Sequence, residues 1–442
     1  MTKKNILLFL VVFAITTSCD VLEQIANQNQ NKGQGQGNGG NQTVLQGEVG
    51  CTEDNRYINT IFPANKVKVF KDIPYATMRP EDQWNNGDVN AKCYGGKPYK
   101  FPAGNGLEEL RMDIYMPDPS VDKCPERGLV ILVHPGGFAQ QGTPGKLDVA
   151  GQAKFMTQLG FVVAAIDYRK GFDWLNDNNY DQGAISKMVF AMQTVNCSEN
   201  KDPDGKSFQV ALFRFMQDIR AAHRFLHKNA DKIGFDTDKI FYAGLSTGAV
   251  GIAHAAYALD ESSHWSKYGM GKIEDFGNHP ELENQIKIAG VMAEQPALHD
   301  VNWLEASDNV PIFMMQGTAD KDVPYTEGHL AGLTSYHSST KDLPYFKLYG
   351  SKAMYDKMKN FGASTQTKGQ LIGFEGISHH LAPMISGGCQ RLNGGQRGVW
   401  MEAYQFAKTI MDAKDKGQQA DLKTSYCLVT KATMANCQSI CE

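Results

Sequence analysis

The chain has 442 residues, 42% of them apolar and 21% charged, with 44 Lys+Arg against 48 Asp+Glu and a net charge of −4. That length and apolar content allow a large core that needs no metal or disulfide to fold, and they exclude wholesale disorder. A mildly acidic balance offers nucleic acid no global attraction, so it is not an expected partner.

Lys3 and Lys4 precede ten apolar residues, 6–15, and small polar residues then lead to Cys19. The apolar run is too short to span a bilayer, and the three-part plan predicts a secretory signal over residues 1–18. Thr16-Thr17-Ser18-Cys19 resembles a bacterial lipobox, with Thr16 in place of the usual Leu. The resemblance implies lipidation of Cys19, acyl chains that hold the protein on a membrane, and a place in the cell envelope. Plain secretion is the alternative.

Residues 27–42 are Asn, Gln and Gly with one Lys, which predicts a flexible spacer within a linker over 19–49. From 50 to 442 the composition is evenly globular, and a single domain is expected there. Beyond Cys19 lie Cys51, Cys93, Cys124, Cys197, Cys389, Cys427, Cys437 and Cys441. An even set in an exported chain predicts disulfides of unspecified connectivity and a stapled tail. No CxxC pair is present, so no metal site is expected.

Apolar residues at 110, 112, 114 and 116 alternate with polar ones, predicting a half-exposed strand. Residues 129–133 and 161–166 are continuous apolar runs, as in strands buried on both faces. The first leads into His134-Pro135-Gly136-Gly137-Phe138. Adjacent glycines let backbone N–H groups approach one point closely, so Gly136 and Gly137 are candidates for an oxyanion hole. His134 is read as a brace of that loop. Leu212, Phe215, Met216, Ile219, Ala222 and Leu226 mark one face of a helix.

Residues 240–243 form a further strand, followed by Gly244-Leu245-Ser246-Thr247-Gly248 and a helical run over 247–258. So sharp a strand-to-helix turn leaves no room for side chains at its two glycines and lifts the serine hydroxyl above the sheet. Strands are also expected over 286–293, 312–316 and 370–374. Alternating strands and helices predict an α/β protein with a mostly parallel sheet covered on both faces. In such sheets chemistry gathers at the carboxyl ends of the strands.

The order HPGGF, then Asp167-Tyr168-Arg169, then a helix carrying Asp218 and Arg224, then GLSTG is similar to the α/β-hydrolase superfamily, in its carboxylesterase and hormone-sensitive-lipase-like branch. Pro135 replaces the first glycine of the branch's His-Gly-Gly-Gly. The resemblance spans about residues 105–385 and implies an acid and then a histidine after Ser246. Gly317-Thr318-Ala319-Asp320-Lys321-Asp322-Val323-Pro324 is similar to the family's acid loop and selects Asp320, with Asp322 the nearest competitor. Gly376-Ile377-Ser378-His379 is similar to its histidine loop and selects His379 over the adjacent His380.

The resemblance implies a serine carboxylic-ester hydrolase with no cofactor, in which His379 activates Ser246 and Asp320 orients His379. The N–H groups of Gly136, Gly137 and Thr247 would hold the oxyanion. Its substrate would be a small-molecule or polysaccharide-linked ester. A serine peptidase of the same superfamily and a non-catalytic binding lipoprotein are the alternatives. His223, His227 and His254 are read as helix residues, Asp167, Tyr168 and Arg169 as loop braces, and residues 174–180 as either a substrate-facing loop or a solvated turn.

Overall fold

The structure, a computed structural model, describes residues 48–77, 109–137, 145–169, 206–267, 270–329, 347–379, 381, 397–430 and 440–441. Its strands are β1 (Val67–Thr77), β2 (Glu109–Pro117), β3 (Arg127–Val133), β4 (Val162–Ile166), β5 (Phe235–Leu245), β6 (Gly290–Glu294), β7 (Ala297–Leu298), β8 (Ile312–Gly317), β9 (Glu327–His329), β10 (Lys347–Gly350), β11 (Gly369–Phe374), β12 (Ser425–Val429) and β13 (Ile440–Cys441). The main helices are α1 (Ala150–Gln158), α2 (Lys206–Lys228), α3 (Thr247–Tyr257), α4 (Ser351–Met358) and α5 (Arg397–Asp415).

Ten strands form one sheet in the order β1-β2-β4-β3-β5-β6-β8-β11-β12-β13. β2 is antiparallel to both its neighbours, and every pair from β4 to β12 is parallel. The first eight strands of that order, with their crossovers, make this an α/β-hydrolase fold. β7, β10 and β9 form a separate three-stranded sheet.

The strands read as buried on both faces because helices cover both. Leu129, Ile131 and Val133 of β3 lie in one core with residues of α2, α3 and α4, while Val130 and Leu132 lie in the core on the other face with residues of α1 and α5. β4 divides in the same way, Val162, Ala164 and Ile166 against Val163 and Ala165. A period of two in side-chain direction thus splits one apolar run between two cores.

Three elements depart from the sequence reading. β2 is buried along most of its length rather than half exposed, and Asp113 on it is only 1% exposed. The buried Lys146 ammonium lies 3.6 Å from Asp113 and 2.8 Å from Asp72, which lets a carboxylate sit in the sheet. β6 begins at Gly290 rather than at 286. α2 hides its polar side as well, because Arg169 pairs with Asp218 at 2.7 Å, and Arg220 and Arg224 both pair with Glu283.

At the amino end of β3, Asp122 bridges Arg56 and Arg127 in a buried triad at 2.9 and 2.6 Å. The disulfide Cys51–Cys124 ties the same two segments together. Cys427 on β12 is also disulfide-bonded, in keeping with a stapled tail. Cys19, Cys93, Cys197, Cys389 and Cys437 lie outside the described residues.

Candidate active site

β5 gives way to α3 through one residue, Ser246, at φ 53° and ψ −121°. A non-glycine residue there stores strain on the order of 1–3 kcal/mol, held in place by its surroundings. The flanking glycines are sterically required. A Cβ on Gly244 would lie 2.7 Å from the Gly248 carbonyl, and one on Gly248 would lie 2.5 Å from the Val133 oxygen. The Ser246 N–H donates to the Glu294 carbonyl at 2.9 Å and to Gln295 Oε1 at 3.2 Å. β6 therefore holds the turn from the side.

Asp320 follows β8 and His379 follows β11, both at carboxyl ends of neighbouring parallel strands. Their loops interlock. Ala319 N–H donates to Ile377 O at 2.9 Å, Thr318 N–H to Phe374 O at 2.9 Å, and Gly376 N–H to Thr318 Oγ1 at 2.9 Å. Contact is so close at Gly317 that a Cβ there would come within 2.2 Å of the Ile377 oxygen.

The three side chains meet. His379 Nε2 is 2.8 Å from Ser246 Oγ, and His379 Nδ1 is 2.9 and 3.0 Å from the two Asp320 oxygens. With Nδ1–H donated to the carboxylate, Nε2 is left as the acceptor of the serine proton. Asp320 is fixed in turn by Asp322 N–H at 2.9 Å, Val323 N–H at 3.0 Å and the Gln316 amide at 3.2 Å. Asp322 thus serves through its backbone, and its side chain is not the one on the histidine. Burial works against an imidazolium at His379. The hydrogen bond and charge of Asp320, with Asp322 and Glu294 beyond, outweigh it and move the pKa upward.

Gly136 and Gly137 both take positive φ, 145° and 65°. Gly137 N–H donates to Thr247 Oγ1, which seats the glycine loop directly against the elbow. Thr247 is the first residue of α3, so its own N–H has no acceptor within the helix. His134 is a brace, as expected. It is fully buried, stacks on Tyr168 at 4.4 Å and donates from Nδ1 to Pro135 O. Asp167 and Arg169 brace likewise, the first through Lys146 N–H at 2.9 Å and the second through Asp218. His223 and His254 are buried and His227 half-buried on their helices. His380, Phe138 and residues 174–180 lie outside the described residues.

The structure adds Glu294, Gln295, Gln316 and Trp400, which sequence reasoning did not single out. Gln295 is buried at φ 63°, and its amide nitrogen donates to the His379 carbonyl while its oxygen accepts from Ser246 N–H. Glutamate and glutamine at the carboxyl end of an apolar strand were the available signal. Nothing local marks Trp400. Among the described residues no group of three or more His, Cys, Asp or Glu is placed to hold a metal ion.

No protein family and no curated protein matches the chain in sequence. Similar solved structures include the cyclosarin-phosphonylated form of Thermogutta terrifontis esterase 2, at 16% identity and TM-score 0.38 over 71% of this chain and 91% of that one. An inhibited esterase B from Lactobacillus rhamnosis is similar at 12% identity and TM-score 0.41, over 82% and 93% of the two chains. The strand order defines the fold, and the geometry at Ser246 defines the chemistry.

Proposed function

We propose that the chain is a serine carboxylic-ester hydrolase that works through an acyl-Ser246 intermediate. The observation that carries the reading is the continuous line from Ser246 Oγ to His379 at 2.8 Å and on to Asp320 at 2.9 Å, at the carboxyl edge of the sheet. A binding protein on this scaffold has no need to keep a strained serine in line with a buried base and acid.

In this mechanism Ser246 Oγ attacks the ester carbonyl carbon as its proton passes to His379 Nε2. Asp320 holds the imidazole tautomer and stabilises the imidazolium without taking the proton. The carbonyl oxygen gains negative charge and is met by the N–H groups of Gly136, Gly137 and Thr247. For Gly137 to serve, the Thr247 hydroxyl that now accepts its N–H must yield that donor to the substrate. Collapse expels the alcohol, which takes the proton from His379. Water then repeats the sequence on the acyl-serine and frees the acid.

A fluorophosphonate probe is expected to label the wild type at Ser246, and Ser246→Ala is expected to lose both labelling and cleavage of p-nitrophenyl acetate. Labelling that persists in the variant rejects the assignment.

The substrate is proposed to be a small-molecule or polysaccharide-linked ester met outside the cell, with the enzyme tethered through a lipidated Cys19. That part rests on the N-terminal sequence alone. Mass spectrometry of the mature protein from the membrane fraction is expected to find acylated Cys19 as its first residue. An unmodified N-terminus in the soluble fraction refutes the tether.

A further inference from the structure

Glu294 ends β6 directly beside the elbow, opposite Leu245 in the strand register. Its carboxyl group is buried and accepts from Trp400 Nε1 at 3.1 Å and from Gln295 Nε2 at 3.3 Å. The same Gln295 nitrogen donates to the His379 carbonyl, and the Gln295 oxygen accepts from Ser246 N–H. One amide therefore spans the backbones of nucleophile and base. The His379 carbonyl only accepts and the Ser246 N–H only donates, so the Gln295 amide has one orientation, and an ionised Glu294, which also only accepts, reinforces it.

We propose that Glu294 is a positioning residue for His379, supporting the histidine backbone through Gln295 and adding a second negative charge one amide away from it. The proposal rests on the reading of His379 as general base. Acylation turns that imidazole into an imidazolium, so a second nearby anion favours the charged form just when it appears.

Glu294 is electrostatically coupled to His379 and, on α5, to Tyr404. His379 is coupled in addition to Asp320 and Asp322. Burial raises the Glu294 pKa to about 7, against the pull of Trp400, His379 and Gln295. Glu294 and His379 then titrate as an interacting pair. Above neutrality the imidazole sees the Glu294 anion, and in acid it sees a neutral acid.

The test is the Glu294→Gln variant of the full chain, read in two ways. First, the imidazole resonance of His379, assigned by its loss in His379→Gln, is followed by NMR against pH. Its midpoint is expected to fall by about half a unit or more in Glu294→Gln. Second, for p-nitrophenyl acetate, the plateau of kcat/KM is expected to fall roughly three- to tenfold while its acidic limb moves to lower pH. A packing role alone would lower the plateau and leave the limb in place. Trp400→Phe, which removes one donor to the anion, is the second variant and is expected to shift the midpoint in the same direction by less. In the wild type the resonance should report two ionisations. A single ionisation, or an unchanged midpoint in a folded variant, overturns the proposal. If the wild type cleaves no ester, the esterase reading falls while the NMR titration still decides the role of Glu294.

Discussion

Asp320 and Asp322 stand two positions apart, and the sequence favours the first only through resemblance. The structure gives the physical distinction. Asp320 places both oxygens on His379 and is itself held by two backbone N–H groups and the Gln316 amide. Asp322 supplies one of those N–H groups. Asp320→Asn is therefore expected to lower kcat on the order of 10³–10⁴-fold with KM little changed, because an amide facing Nδ1 favours the wrong tautomer. Asp322→Asn keeps its backbone donor and should stay within about threefold of wild type. Comparable losses for both variants in steady-state kinetics would show that the carboxylates share the work.

The elbow could be read in sequence because both its glycines flank one short turn. Gly244 follows from backbone crowding within the turn, 2.7 Å from the Gly248 carbonyl for an added Cβ, while Gly248 answers to the Val133 carbonyl of β3 at 2.5 Å. The joint between acid loop and histidine loop has no such motif, since Gly317 stands alone and is required by a carbonyl 60 positions away in the chain, that of Ile377. A methyl group at Gly317 must push the two loops apart and lengthen the contact between Asp320 and His379. Gly317→Ala is expected to reduce kcat at least tenfold and to cost about 2 kcal/mol of stability. Normal turnover in that variant would mean that the loops accommodate the methyl without moving the acid.

Across the whole molecule, Glu294 sets function against stability. Its folded-state pKa of about 7 lies above its ordinary value of 4.5. The native state thus holds a proton that the unfolded chain has released between those two values. Stability from this group is complete below about pH 4.5 and is lost as pH rises through 7. A shift of that size corresponds to roughly 3 kcal/mol. Glu294→Gln removes the cost of burying the charge, so at pH 8 the variant should be more stable than wild type by a few kcal/mol, and equal to it at pH 4. Urea unfolding at the two pH values measures this. A variant less stable at pH 8 would show that the carboxylate is a net support of the fold. A gain in stability joined to a loss of kcat/KM marks a residue retained for its action in the site.

The sequence by itself determined the central parallel strands, because an unbroken apolar run such as 129–133 fits a layer covered on both faces, whereas β1, β12 and the small second sheet carry no such run. It also marked the elbow, whose first glycine answers to a neighbour four positions away and whose second answers to the Val133 carbonyl of another strand. Only the tertiary structure decided that β2 is buried with its aspartate, since the compensating charge on Lys146 comes from another segment. The same holds for Glu294 and Trp400, 106 positions apart. Patterns of period two and 3.6 record which way a side chain points. They do not record which distant segment it meets, and that meeting sets the protonation of a buried acid.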